Sequence, residues 1–206
     1  MINVSSEYHL EPKDIHDIVD SIWEQDIPAA RDSEELQWYH NRLSKWWVTN
    51  LALAFQAKYG GEKRVCAFYR DRKRKSKPVP NVAEFLFDIT IAKYRTFTSS
   101  SNRVDFDYIL PPIWQIESEF KGDMREISKD FQKLLAGNAP YKMMVGPLRT
   151  NQSQAYREDM KHLARYVTAE ALYFLFLPHP DSWATQQPED WLLFLWEDNE
   201  WQKVTP

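Results

Sequence analysis

The chain has 206 residues, 43% of them hydrophobic and 15% aromatic, enough for one packed α/β domain and too apolar for a disordered chain. A formal net charge of −4 argues against a protein that coats nucleic acid by bulk electrostatics, and the single cysteine, Cys66, excludes an internal disulfide and a cysteine-based zinc cluster. No apolar run reaches the roughly 18 residues of a membrane span, and the start of the sequence lacks a basic-then-apolar leader, so a cytosolic protein with no membrane partner is expected.

In chain order, Ile15, Ile18, Val19 and Ile22 recur at helical spacing behind Pro12, which suits a first turn. Residues 1–30 therefore read as an N-terminal helical extension, and 31–206 as the main domain. Asp32 and Glu35 form a capping box for a long helix that runs to Tyr59 and stops at Gly60 and Gly61. Leu36, Tyr39, Leu43, Trp46, Trp47, Leu51, Ala54 and Phe55 make its apolar stripe, and the two tryptophans read as core. A first strand, 65–69, leads into a basic run, and a second is expected from Ala83 to about Tyr94 after Pro78 and Pro80. Thr96–Asp107 reads as a polar loop ending at Pro111 and Pro112, with a third strand beyond it. Asp123 and Glu126 then cap a helix that buries Ile127, Phe131, Leu134 and Leu135 and ends at Gly137. A strand at 141–148, a helix at 151–169 and two strands at 171–177 and 191–197 complete the chain. This order predicts an α/β fold: a mixed central β-sheet flanked by helices on both faces.

The charge is unevenly spread. Residues 1–40 carry ten acids against two bases, and residues 181–206 carry six against one. Between Lys63 and Lys77 stand eight bases and one acid, Asp71. Arg70, Arg72, Lys73, Arg74 and Lys75 are thus candidate nucleic-acid contacts, and a solvated hairpin tip is the alternative.

The most informative segment is Ile113–Lys121. In an extended strand Glu117, Glu119 and Lys121 stand on one side, and Trp114, Ile116 and Phe120 on the other. About 30 residues upstream, Asp88 sits among Phe85, Leu86, Phe87 and Ile89, in a strand apolar on both faces. An acid there is costly unless a cation or hydrogen-bond donors meet it. Two carboxylates ~4 Å apart repel by about 4 kcal/mol at an effective dielectric of ~20, a cost that a lysine or a divalent ion offsets. Hard oxygen ligands without histidine or cysteine clusters point to Mg²⁺ or Mn²⁺. An ordinary amphipathic strand carrying a salt-bridge ladder is the competing reading.

Asp88 followed by Glu119 and Lys121 resembles the PD-(D/E)XK, or restriction-endonuclease-like, nucleases over residues 32–148. The expected α-β-β-β-α-β succession is that family's core. Phe87 stands where the motif has a proline. The resemblance implies Mg²⁺-dependent hydrolysis of phosphodiester bonds, DNA before RNA, in restriction or phage defence, by a homodimer where both strands are cut. Asp88 and Glu119 would hold the metal, and Lys121 would orient or deprotonate the attacking water. This register is preferred. A second has Glu117 and Glu119 as the acidic pair and takes its lysine from the next helix, where Lys133 stands beside Gln132, a candidate phosphate contact. Glu34 and Glu35 are further metal candidates, although a helix-capping role suits them better. A catalytically silent binding module of the same fold is the alternative to an enzyme.

Overall fold

The structure, a computed structural model, describes residues 8–27, 36–60, 64–69, 86–121, 123–148, 153–183 and 191–205. Helix α1 (Pro12–Trp23) and helix α2 (Leu36–Lys58) precede strands β1 (Val65–Tyr69), β2 (Ile89–Thr98) and β3 (Asp105–Ser118). Helix α3 (Met124–Ala136), β4 (Tyr141–Leu148), α4 (Ser153–Ala164) and β5 (Ala171–Pro178) follow, then a short 3₁₀ turn (Pro180–Ser182), β6 (Leu192–Glu197) and β7 (Glu200–Val204). The seven strands form one mixed sheet in sequence order. β3, β4 and β5 are parallel; every other neighbouring pair is antiparallel.

The period-two alternation of the central strands builds two cores. Tyr141, Met143 and Val145 of β4 and Tyr173, Leu175 and Leu177 of β5 face Ile15, Val19, Leu43, Trp47, Leu51 and Phe55 of α1 and α2. Met144, Leu172, Phe174 and Phe176 face the other way, onto Ile127, Phe131 and Leu134 of α3 and Tyr156 and Met160 of α4. Both faces of β4 and β5 are therefore covered, which is why these strands read as continuous apolar runs. Helix α1 carries its own capping box, Glu11 with Asp14, and buries Ile15, Ile18, Val19 and Ile22 in the same core as α2.

Three elements differ from the sequence reading. Residues 86–88, just ahead of β2, are bends and not strand, Leu86 is 65% exposed, and the ladder starts at Ile89; the start of the expected strand, 83–85, lies outside the described residues. Asp88 accepts a hydrogen bond from the Ser118 backbone N–H with its side chain, so a carboxylate stands where a strand would present a carbonyl. The expected loop from Thr96 to Asp107 is mostly paired strand. Thr96 and Thr98 donate their hydroxyls to Asp107 and Asp105 at 2.8 and 2.7 Å, and the reversal is confined to the residues between Ser99 and Val104. Pro111 and Pro112 lie inside β3, where Pro112 faces Ala92 at a register shift, the irregular position at which a strand tolerates a residue without an N–H. Finally, β7 was not anticipated. Asp198 and Asn199 both take positive φ (51° and 62°), the conformation of a two-residue hairpin turn, and Trp196 and Trp201 meet across it with ring centroids 5.0 Å apart.

Candidate active site at the carboxyl end of the sheet

The parallel strands β3, β4 and β5 end on one edge of the sheet, the edge where open α/β sheets place their ligands. There the backbone N–H of Glu119 bonds to the Val145 carbonyl, prolonging the β3–β4 ladder beyond Ser118. A cleft of about 360 Å³ opens at this edge. Asp88, Ser118, Glu119 and Lys121 line one part of it, Asn41, Ser44 and Lys45 of α2 another, and His179 and Pro180 after β5 a third.

Asp88 is held in place from two sides. Phe87 is buried against α3 and its neighbours, and the Asp88 carboxylate accepts from the Ser118 N–H at 3.0 Å and the Ser118 hydroxyl at 2.8 Å. Burial raises its pKa, and these two hydrogen bonds oppose that shift without cancelling it.

Glu117 lies one residue inside the strand, on the α3 side, with no solvent exposure. Its Oε2 accepts from Lys133 Nζ at 3.0 Å, while its Oε1 is buried without a hydrogen-bond partner. Burial, and next the charge of Asp88, push its pKa up to about 8, Lys133 offsetting only part. Lys133 also pairs with Asp130 at 2.7 Å; burial disfavours its charge, but its hydrogen bonds to Asp130 and Glu117 prevail and raise its pKa.

Helix α3 brings Lys133 to this point, and two interior polar residues fix the helix. Gln115 of β3 accepts from the Ala139 N–H at 3.0 Å, just beyond the helix. Lys142 of β4, wholly buried, donates to the carbonyls of Leu134, Gly137 and Thr168 at 2.8, 2.8 and 2.9 Å. Burial pushes its pKa down to about 8, while three carbonyl acceptors, two of them at the C-terminus of α3, suit an ammonium. At the opposite end Asp123 caps the helix by accepting from the Arg125 N–H.

Glu119 faces the cleft, but its Oε1 accepts from the backbone N–H of Lys121 at 2.6 Å, so the carboxylate is folded back on its own turn. Burial raises its pKa as well. Lys121 is exposed and lines the cleft. Lys133 thus pairs through its side chain with Glu117, as the second register has it, while Lys121 of the preferred register meets Glu119 through its backbone N–H and lines the cleft. A strand places a side chain by its own alternation, whereas β3 leaves regular geometry after Ser118 and the turn at Glu119 carries Lys121 out to the rim.

Asp88, Glu119 and Lys121 share one cleft, with Glu117 and Lys133 beside it. Gln132 is exposed on α3. Glu34, Glu35 and the Asp32 cap, the side chains of Leu36 and Tyr39, and the basic residues Arg70, Arg72, Lys73, Arg74 and Lys75 lie outside the described residues. Sequence reasoning missed the contributions of α2 and of His179. Lys45 and Asn41 lie on a helix whose apolar stripe dominates its pattern, and His179 carries no motif beyond the prolines on either side. His179 is nonetheless fixed: its Nδ1 accepts from the Asp181 N–H and lies 3.1 Å from the Asp181 carboxylate.

Among the described residues, no group of three or more His, Cys, Asp or Glu side chains stands together as a metal cage. Mg²⁺ seldom uses such cages; it takes one or two carboxylates and completes its octahedron with water and substrate phosphate. The Asp88–Glu117 pair fits that demand: the two carboxylates stand within charge range of each other, and one oxygen of Glu117 is buried with no hydrogen-bond partner. No protein-family model, curated protein or solved structure matches the chain.

Proposed function

We propose that the protein is a metal-dependent nuclease, hydrolysing phosphodiester bonds in DNA, with Mg²⁺ or Mn²⁺ held by Asp88 and Glu117. The observation that carries this reading is Glu117: wholly buried, one oxygen unpartnered, the other on Lys133, and within charge range of Asp88. Lys133 offsets only part of the cost of burying this carboxylate, and a divalent ion on its second oxygen would offset more. The succession α2–β1–β2–β3–α3–β4 supports the reading, since it follows the α-β-β-β-α-β order of the PD-(D/E)XK nucleases, with the lysine supplied by the helix.

When bound, the ion would polarise a phosphoryl oxygen and lower the pKa of a coordinated water. The chain's own residues do the rest. Lys133, kept protonated by Asp130, holds a positive charge beside Glu117 and orients the attacking water. Ser118 holds the Asp88 carboxylate by two hydrogen bonds, so its second oxygen is presented in a fixed direction. Lys45, Lys121 and His179 line the cleft and offer donors to the phosphates on either side of the scissile bond.

The test is nicking of supercoiled plasmid with Mg²⁺ or Mn²⁺, wild type beside Asp88→Ala, with a single-stranded RNA as second substrate. Cleavage of DNA by the wild type alone supports the proposal. Cleavage of RNA in its place moves the substrate, and equal activity of the two proteins, or none in either, leaves the cleft as that of a binding module.

A further inference from the structure

β2 and β3 run on past their neighbours. β1 pairs with β2 only from Ile89 to Lys93, and β4 pairs with β3 only from Trp114 to Ser118. Arg95–Thr98 and Asp105–Tyr108 are thus a two-stranded ribbon with no third strand among the described residues. Such a ribbon is marginal in water unless one of its faces is occupied. Directly opposed residues share a face, so Arg95 with Tyr108 and Phe97 with Phe106 stand on one side. Thr96 with Asp107 and Thr98 with Asp105 stand on the other.

The two faces are chemically opposite. The threonine–aspartate face is satisfied within itself, each hydroxyl bonded to the carboxylate across from it. The aromatic face is open: Phe97 is 56% exposed, Phe106 50% and Tyr108 44%. It carries the guanidinium of Arg95 and none of the ribbon's carboxylates, because both aspartates are turned away. A second copy docked face to face across a twofold axis would set a face with one cation and no anion against itself, so the surface is not self-complementary. Flat rings interleaved with an arginine suit bases, whose π-faces stack on aromatic side chains while the cation meets the phosphates.

We propose that this ribbon face binds an unpaired stretch of nucleic acid, a contact separate from the cleft. It rests on the nuclease reading only for the kind of polymer. Along β3 the ribbon lies roughly 33–43 Å from Ser118, at about 3.3 Å per residue, so it would hold substrate away from the reacting phosphate.

The test measures fluorescence anisotropy of a labelled single strand of about 20 nucleotides, long enough for a binding site of this kind, and of its duplex, with no divalent ion present. Under those conditions hydrolysis is silent, so a failure of the nuclease reading and a failure of this one are told apart. Combined Phe97→Ala and Phe106→Ala is expected to weaken single-strand binding by about tenfold or more, matching the loss of one or two stacked bases. Arg95→Ala should weaken it less and flatten the dependence on log salt by a little under one unit. Asp105→Asn, on the satisfied face, serves as the control and should change neither. Since both rings are at least half exposed, their truncation leaves the core intact, and melting curves check this. Unchanged affinity in the double variant, or a wild type with no affinity for the single strand, would overturn the proposal. So would a dimer in sedimentation that the phenylalanine substitutions convert to a monomer, because a second copy would then be the occupant.

Discussion

Glu117 is the side chain on which the proposed site turns. Unexposed, with an oxygen that has no partner, it binds its proton more tightly in the folded chain than in the unfolded one. A group whose folded pKa is raised stabilises the protein fully below its unfolded value, near 4.5, and loses that contribution as pH rises through about 8. His16, whose pKa burial lowers, works in the opposite sense toward acid pH, and Lys142, held down to about 8, does so toward alkaline pH, so the clearest window lies between about pH 6.5 and about pH 7.5. Without divalent ions, denaturant-measured stability should fall across that window by up to ~1.4 kcal/mol per pH unit. Glu117→Gln should flatten that fall; an unchanged slope would remove Glu117 as its source. The neighbouring lysines separate the two registers. Lys133→Ala should lower the cleavage rate by about 10²–10⁴-fold. Lys121→Ala, on the rim, should act chiefly through substrate affinity. The reverse order in single-turnover rates would return the site to Glu119 and Lys121.

At the scale of elements, α3 decides whether Lys133 meets Glu117, and polar residues within the sheet decide where α3 ends. Gly137 is the tightest point. A Cβ there would lie 2.1 Å from Gln115 Oε1 and 3.0 Å from the Phe87 ring, so an alanine must displace the acceptor of the Ala139 N–H and press on the residue that precedes Asp88. Gly137→Ala should therefore destabilise the protein by roughly 1–3 kcal/mol in chemical denaturation and weaken its response to Mg²⁺. Stability at the wild-type level would mean that Gln115 is not the clamp. The sequence made much of this scale legible. The Asp88-to-Glu117 spacing, the capped helix from Asp123 and the apolar β4 and β5 all carry local signals. The pairing of Lys133 with Glu117 was legible only through the family resemblance, as the second register, because Lys133 reaches Glu117 through packing between elements 16 residues apart in the chain. Nor was the paired ribbon: Thr96, Thr98, Asp105 and Asp107 have turn-like composition, and only their cross-strand pairing makes them strand. The cleft wall from α2 was hidden for a related reason, since its polar residues interrupt a stripe of core residues.

At the scale of the whole molecule, a sheet whose central strands are covered on both faces opens where β3, β4 and β5 end together, and α2, the β3 turn and His179 line a cleft there. Among the described residues no helix is long and apolar enough to cross a membrane. The central claim is that Asp88 and Glu117 together hold a divalent ion at this edge. Titrating Mn²⁺ at pH 8 while following the melting temperature tests it most directly, because an ion that binds only the folded state stabilises it by mass action. At about 100 times its dissociation constant the gain is ~2.7 kcal/mol, or roughly 5–10 °C for a chain of this size. The wild type and Lys121→Ala should show that rise, while Asp88→Ala and Glu117→Gln stay flat across the titration. A rise in Glu117→Gln equal to that of the wild type, or a flat wild type, would contradict the account.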